Sequence, residues 1–79
     1  MSNLEKYNSV FAKVFNVPVE RLGSDFTSEK VENWDSITQL SLVTALEDEF
    51  DVLFDTTEIL EMKSYEKGKQ ALEKYSVII

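Results

Sequence analysis

The sequence predicts an all-α fold: a four-helix bundle of three main helices and one short helix, with a long first connection, in a single domain over residues 1–79. Three observations predict it. Apolar residues recur at steps of three and four in separate stretches. Patterns of the Ser/Asp-x-x-Glu/Gln kind, which start helices, precede those stretches. No run alternates apolar and polar residues as a half-buried strand would.

The first helix is expected from Asn3 to Phe15, where Leu4, Tyr7, Phe11 and Val14 form a stripe joined by Val10 and Phe15. Ser2 and Glu5 make a capping-box pair, in which each side chain accepts from the other residue's backbone N–H. Pro18 requires the helix to stop before it. The connection from about Asn16 to Asp35 is rich in turn and cap formers: Pro18, Gly23, Ser24, Asp25, Thr27, Ser28 and Asn33. A segment of this length needs pinning to the core. Val17, Val19, Leu22, Phe26, Val31 and Trp34 are expected to supply it, with a short helical turn near Pro18 to Leu22.

The second main helix is expected from Ser36 to Phe50. Ile37, Leu40, Leu42, Val43, Leu46 and Phe50 read as a broad apolar arc, with Thr38, Ser41, Ala45, Asp48 and Glu49 opposite. Asp51-Val52-Leu53-Phe54 reads as an extended link. Asp55-x-x-Glu58 opens a short helix, about Thr56 to Met62, which offers Ile59, Leu60 and Met62 to the core. Ser64 caps a last helix to about Tyr75, with Tyr65, Gly68, Ala71, Leu72 and Tyr75 on one face. Gly68 costs helix stability, so close packing against a neighbour is its expected return. The tail Val77-Ile78-Ile79 reads as strand-like or frayed.

The composition removes whole classes of chemistry. The chain has no cysteine and no histidine. Disulfides, zinc-thiolate sites and the Ser-His and Cys-His catalytic arrangements are therefore excluded, and a non-catalytic protein is expected. Charge is divided unevenly. From Val31 to Met62 there are nine acids and no base: Glu32, Asp35, Glu47, Asp48, Glu49, Asp51, Asp55, Glu58 and Glu61. The rest of the chain carries six acids and eight bases, so the net charge of -7 arises in the middle. Such a chain repels phosphate backbones, so nucleic acid is not an expected partner, whereas basic protein surfaces are. Asp48, Asp51 and Asp55 lack the spacing and the glycine of an EF-hand loop, and no metal site is expected. No apolar run has the length of a membrane span, and MSNLEKYNSV has no signal-peptide layout. A cytoplasmic protein is expected, and its strong net charge argues for a monomer.

Ser36 is the residue that invites chemistry. It stands at the start of a helix, where free N–H groups and the dipole favour an anion such as a phosphodiester on its hydroxyl. Asp35 beside it repels an attached phosphate toward water, and can orient the hydroxyl or hold a divalent cation while a transferase acts. The competing reading is structural. Ser36-x-x-Gln39 is itself a capping-box pattern, and Asp35 is also a good N-cap. In that reading the chain is a small acidic helical interaction module and Ser36 only a cap. Glu47-Asp48-Glu49 crowd a helix C-terminus, where exposed acids cost about 0.3–1 kcal/mol each. No neighbouring base offsets that cost, which favours a role in recognition.

Trp34-Asp35-Ser36-Ile37, followed by Leu40, Leu42-Val43 and Ala45-Leu46-Glu47-Asp48-Glu49-Phe50, resembles the D-S-[LI] signature and second helix of acyl carrier proteins. The resemblance extends over most of the chain: the leading helix, the long loop, the acidic link, and Ser64 to Leu72 with its glycine. It implies a bundle of the acyl-carrier type. It also implies a 4'-phosphopantetheine arm, derived from coenzyme A and attached to Ser36, with Asp35 supporting the modification. Acyl or aminoacyl cargo would ride on the arm's thiol as a thioester, so the reactive sulfur belongs to the cofactor and not to the chain. The implied partners are a phosphopantetheinyl transferase, an acyl-loading ligase or synthase, and downstream acyl-transfer enzymes with basic docking surfaces. Ile37, Thr38, Ser41, Glu47, Asp48, Glu49, Asp51, Asp55 and Glu58 are the candidate partner-binding residues. Leu42, Leu46, Leu53, Phe54, Ile59, Leu60 and Met62 are equally candidates for an acyl groove and for the core. Thr38 and Ser41 stand where carriers of primary fatty-acid synthesis tend to carry acids, and Asn33-Trp34 precedes the motif. Both features point to a specialised biosynthetic pathway. Peptidyl carriers share the Asp-Ser-Ile ending but usually have glycines before it, absent here.

Overall fold

A computed structural model describes residues 2–79, and α1 runs over Asn3–Phe15 as the stripe and the proline require. The capping box forms: Glu5 N–H donates to Ser2 Oγ and Ser2 N–H donates to Glu5 Oε1, both at 3.1 Å. Asn16 ends the helix in the left-handed region at φ 55°, and the N–H groups of Asn16 and Val17 both donate to Ala12 O. Tyr7, Val10, Phe11 and Phe15 are buried, whereas Leu4, at the outer edge of the stripe, is exposed.

The long connection is tied down by its aromatic residues. Phe26 and Trp34 are buried, and Val17, Leu22 and Val31 pack at the margin of the core. Val19 does not join them: it opens the 3-10 turn Val19–Arg21 and faces solvent. Trp34 lies 4.8 Å from Phe15 and 5.9 Å from Phe26, ring centre to ring centre, and Phe11 contacts Phe26 and Trp34 edge-on. Asn33 Nδ2 donates to Phe15 O at 3.2 Å, tying the far end of the loop back to α1. An isolated antiparallel bridge pairs Thr27 with Ser64. Across it Ser28 N–H donates to Lys63 O at 2.8 Å and Tyr65 N–H to Phe26 O at 2.9 Å.

Helix α2 runs over Ser36–Phe50 and packs chiefly on α1. Leu42, Val43 and Leu46 are buried and Phe50 is half-buried. Ile37 and Leu40, expected in the apolar arc, point outward with 76% and 61% of their surfaces exposed. The helical wheel supplies the reason: at 100° per residue Ile37 lies about 180° from Leu46. Asp51 closes α2 in the left-handed region at φ 53°.

After the extended link, α3 covers Thr56–Glu61, one residue shorter than expected, with the Asp55/Glu58 capping box formed at 3.1 and 2.8 Å. Met62 and Phe54 enter the core and Ile59 packs at its margin, but Leu60 faces water, as does Leu53 in the link. Helix α4 covers Tyr65–Glu73, capped by Ser64, which accepts from Lys67 N–H at 3.0 Å. The turn after it carries Tyr75, so the helix is shorter than its apolar face. Gly68 meets α1 closely: a Cβ there would lie 2.1 Å from the Tyr7 hydroxyl, which donates to Tyr65 O at 2.5 Å. The tail is not a strand. Val77 N–H donates to Leu72 O, Asn3 Nδ2 donates to Ile78 O at 3.1 Å, and Val77 and Ile79 pack against the core. The Cα radius of gyration is 11.3 Å, in line with the roughly 12 Å of a compact chain of this length. Among the described residues no helix is long and apolar enough to cross a membrane.

Candidate functional site

The site grows from the junction of the long loop and α2. Trp34 is buried among the aromatic rings, and Ser36, two residues later, is exposed at the first position of α2. The backbone turns from core to solvent within those two residues. Asp35 between them adopts extended geometry and takes the N-cap, accepting from Thr38 N–H at 2.8 Å. Hydrogen bonding from Thr38 holds the Asp35 carboxyl below the usual carboxylate range, although the residue is exposed.

This geometry decides the capping question. Ser36 is not the cap, because Asp35 occupies that position, and Gln39 does not complete a box with it. The Gln39 amide points instead to Trp34 and to the end of α3. The Ser36 hydroxyl is therefore exposed at a helix N-terminus with no capping duty.

One face of α2 runs on from Ser36. Ile37, Leu40, Ser41, Thr44 and Asp48 share it, within about 60° of Ile37 on the wheel, and together with Ala45 they line an open surface hollow. Ser41 is exposed, while Thr38 and Ala45 are half-buried. The hollow is apolar next to the serine and acidic at its far end, where Asp48 lies about three turns along the helix.

The acids beyond it do unequal work. Asp48, Glu49 and Asp51 are exposed, and with Glu47, Val52, Leu53 and Tyr75 two of them, Asp48 and Asp51, border an open cleft of about 750 Å³. Glu47 is half-buried and accepts from Phe54 N–H at 3.0 Å, so it shapes the link as well as charging it. Asp55 is exposed and caps α3. Glu58, expected on the docking face, is instead buried, with 9% of its surface exposed. Its carboxylate accepts from Asp55 N–H and from the Tyr75 hydroxyl. That hydrogen bond with Glu58 raises the Tyr75 phenol above its ordinary range. Among the described residues no three acids come together as a cation site.

The groove candidates divide in the same way. Leu42, Leu46 and Met62 are fully buried core, Phe54 is nearly so, and Leu53 and Leu60 are exposed. Between α3 and α4 a recess of about 60 Å³ is lined by Met62, Ala71 and charged side chains. A second hollow, of about 360 Å³, lies between α1 and α2 beside Val10, Val14 and Ala45.

Leu40, expected in the apolar arc, has a wheel angle that sets it apart from Leu46. Gln39 carries the pattern of half a capping box, and no local pattern marks it as a tertiary ligand of α3. No protein-family model matches the chain, and neither does any curated protein sequence.

Proposed function

We propose that this protein is a carrier that holds acyl or aminoacyl groups as thioesters on a 4'-phosphopantetheine arm attached to Ser36. The observation that carries the reading is the exposed Ser36 hydroxyl at the first position of α2, released from capping by Asp35. The residues present fit the group. The backbone N–H groups of the first turn and the helix dipole favour a phosphodiester at that hydroxyl. Asp35, already engaged with Thr38, keeps the turn in shape while repelling the phosphate toward solvent. When attached, the arm supplies the thiol that the chain lacks.

The protein's own residues then act as handle and address. Ile37 and Leu40 offer apolar contact beside the attachment point. Asp48, Glu49 and Asp51 present an unbalanced negative surface that steers basic partners: the transferase, a loading ligase or synthase, and the enzymes that take the cargo onward. Thr38 and Ser41, in place of acids, support a specialised pathway. The rival reading, an interaction module in which Ser36 merely caps a helix, assigns the serine a duty that Asp35 performs.

Intact mass after incubation with coenzyme A and a broad-specificity phosphopantetheinyl transferase tests the proposal. The parent is expected to gain one phosphopantetheinyl group and Ser36→Ala none. A folded parent that gains no mass with several transferases would overturn it.

A further inference from the structure

The side-chain amide of Gln39 makes three hydrogen bonds that join α2 to the loop before it and to the end of α3. Its Oε1 accepts from Trp34 Nε1–H at 2.5 Å. Its Nε2 donates to Ile59 O at 2.9 Å and to Met62 O at 2.7 Å. The partners dictate this orientation, because two carbonyls require the amide nitrogen and an indole N–H requires the oxygen. Ile59 and Met62 belong to the last turn of α3 and its cap; Ile59 O also accepts from Met62 N–H at 3.3 Å, whereas Met62 O lies past the last intrahelical donor. A side chain three residues after Ser36 thus caps the C-terminus of another helix. It also holds the ring two residues before Ser36.

Little else fastens α3 by burial. It has six residues, exposes Leu60, and sends inward the Glu58 carboxylate, part of Ile59 and, at its cap, Met62. Such a helix depends on its polar fastenings, because its propensity alone cannot sustain it at that length. The Asp55/Glu58 box holds its start and Gln39 holds its end.

We infer that Gln39 is a positioning residue that couples the seating of α3 to the geometry of the Trp34–Ser36 turn, and so to modification of Ser36. When α3 is seated, both Nε2 hydrogens are engaged and Oε1 is aimed at the indole. When α3 lifts, the amide is free to rotate, Trp34 loses its acceptor, and the turn presenting Ser36 loosens. A partner that binds α3 would thereby alter the presentation of the attachment hydroxyl. The consequence for modification rests on the carrier reading; the coupling itself does not.

Trp34 is the only tryptophan, so its indole N–H gives a single resonance. The exposed pair Thr56→Gly and Thr57→Gly weakens α3 without touching Gln39 or any charge. In the otherwise native protein this pair is expected to speed exchange of the Trp34 indole hydrogen about tenfold, as local opening of α3 releases the amide. With Gln39→Leu, or with Gln39→Ala if the leucine variant folds poorly, the indole has no acceptor from position 39, exchange is already fast and the glycine pair adds nothing. A frayed α3 that leaves indole exchange within about twofold of native would overturn the coupling. In transferase kinetics on folded protein, Gln39→Leu and the glycine pair are each expected to lower kcat/KM about tenfold. Indole exchange that responds while kcat/KM does not would overturn the link to modification. A parent that gains no mass would instead defeat the carrier reading and leave the exchange result to decide the coupling.

Discussion

Around α1, the long loop and the start of α4, Tyr7, Phe11, Phe15, Phe26, Trp34 and Tyr65 meet ring against ring at 4.8–6.2 Å. Around the end of α2 and α3, Met62 and Phe54 are buried while Leu53 and Leu60 lie in water. The first region is held by burial, the second by polar fastenings: the Asp55/Glu58 box, Glu47 on the link, Gln39 on the end of α3 and Tyr75 on Glu58. Charge follows the same division, with nine acids and no base between Val31 and Met62. The difference teaches that apolar burial and one-signed charge are lodged in separate places. Ser36 sits at their seam, two residues from a buried tryptophan and one from an exposed isoleucine.

The sharpest test of that separation compares two alanine substitutions. Ser36→Ala is expected to abolish transferase-dependent mass gain while changing stability by less than about 0.5 kcal/mol, since the residue is exposed and not a cap. Urea melts beside the mass spectra decide it, and a large stability loss would place Ser36 in the scaffold. Gly68→Ala should do the reverse. Its methyl would meet the Tyr7 hydroxyl at 2.1 Å, in a place where Tyr7 is fixed by its hydrogen bond to Tyr65 O. Overpacking costs about 1–3 kcal/mol, offset by up to about 1 kcal/mol of helix propensity. Adding Tyr7→Phe should recover part of the loss, and a double-mutant cycle measures how much.

A smaller effect, of opposite sign, is expected at Asp51. It adopts φ 53° at the end of a helix already crowded with acid. Asp51→Gly removes both the left-handed strain and an unfavourable charge, and is expected to stabilise by about 1 kcal/mol. Thermal melts that show no gain would mean that the strain is relieved elsewhere. Smaller still is the ionic-strength effect. Raising salt from about 10 to about 150 mM shortens the screening length from about 30 to about 8 Å and should raise the urea midpoint by relaxing repulsion among Asp48, Glu49 and Asp51. A midpoint that stays put would show the acids to be too well solvated to matter.

Alkali probes both regions through their phenols. Burial pushes the Tyr7 hydroxyl up, and Glu58 does the same for Tyr75. Groups raised on folding contribute stability that is complete below the unfolded value, about 10, and is lost as pH rises above it. Unfolding is therefore expected to set in above about pH 10, with a flatter profile in Tyr7→Phe, as near-UV absorbance and circular dichroism would register. Asp35 has the opposite sense: its lowered carboxyl contributes above the usual carboxylate range and loses that contribution as pH falls through it.

Much of the fold was legible because its signals are local. The bounds of α1 and α2, both capping boxes, the 3-10 turn and the anchoring of the loop by Phe26 and Trp34 follow from cap residues, proline and apolar spacing. Gly68 announced a close approach, and Tyr7 proved to be the neighbour. The site was legible as a candidate, with Ser36 at a helix start beside one-signed charge. The number of apolar residues in a helix does not say which of them face a neighbour. Ile37 and Leu40 have the composition of a core and the wheel angle of a surface, and Leu60 lies on a helix too short to enclose it.

The sequence by itself determined the helices, their order, the excluded chemistries and the placing of acid around Ser36, since each depends on residues within a turn or two of one another. Only the tertiary structure decided that Asp35 and not Ser36 is the cap, that Glu58 is withdrawn from the acidic face by Tyr75, and that Gln39 spans Trp34 and α3. Those outcomes join residues 17 to 23 positions apart in some cases and compete for the same few donors in others. A polar side chain commits to whichever partners the packed backbone brings within about 3 Å, and no local pattern records that choice.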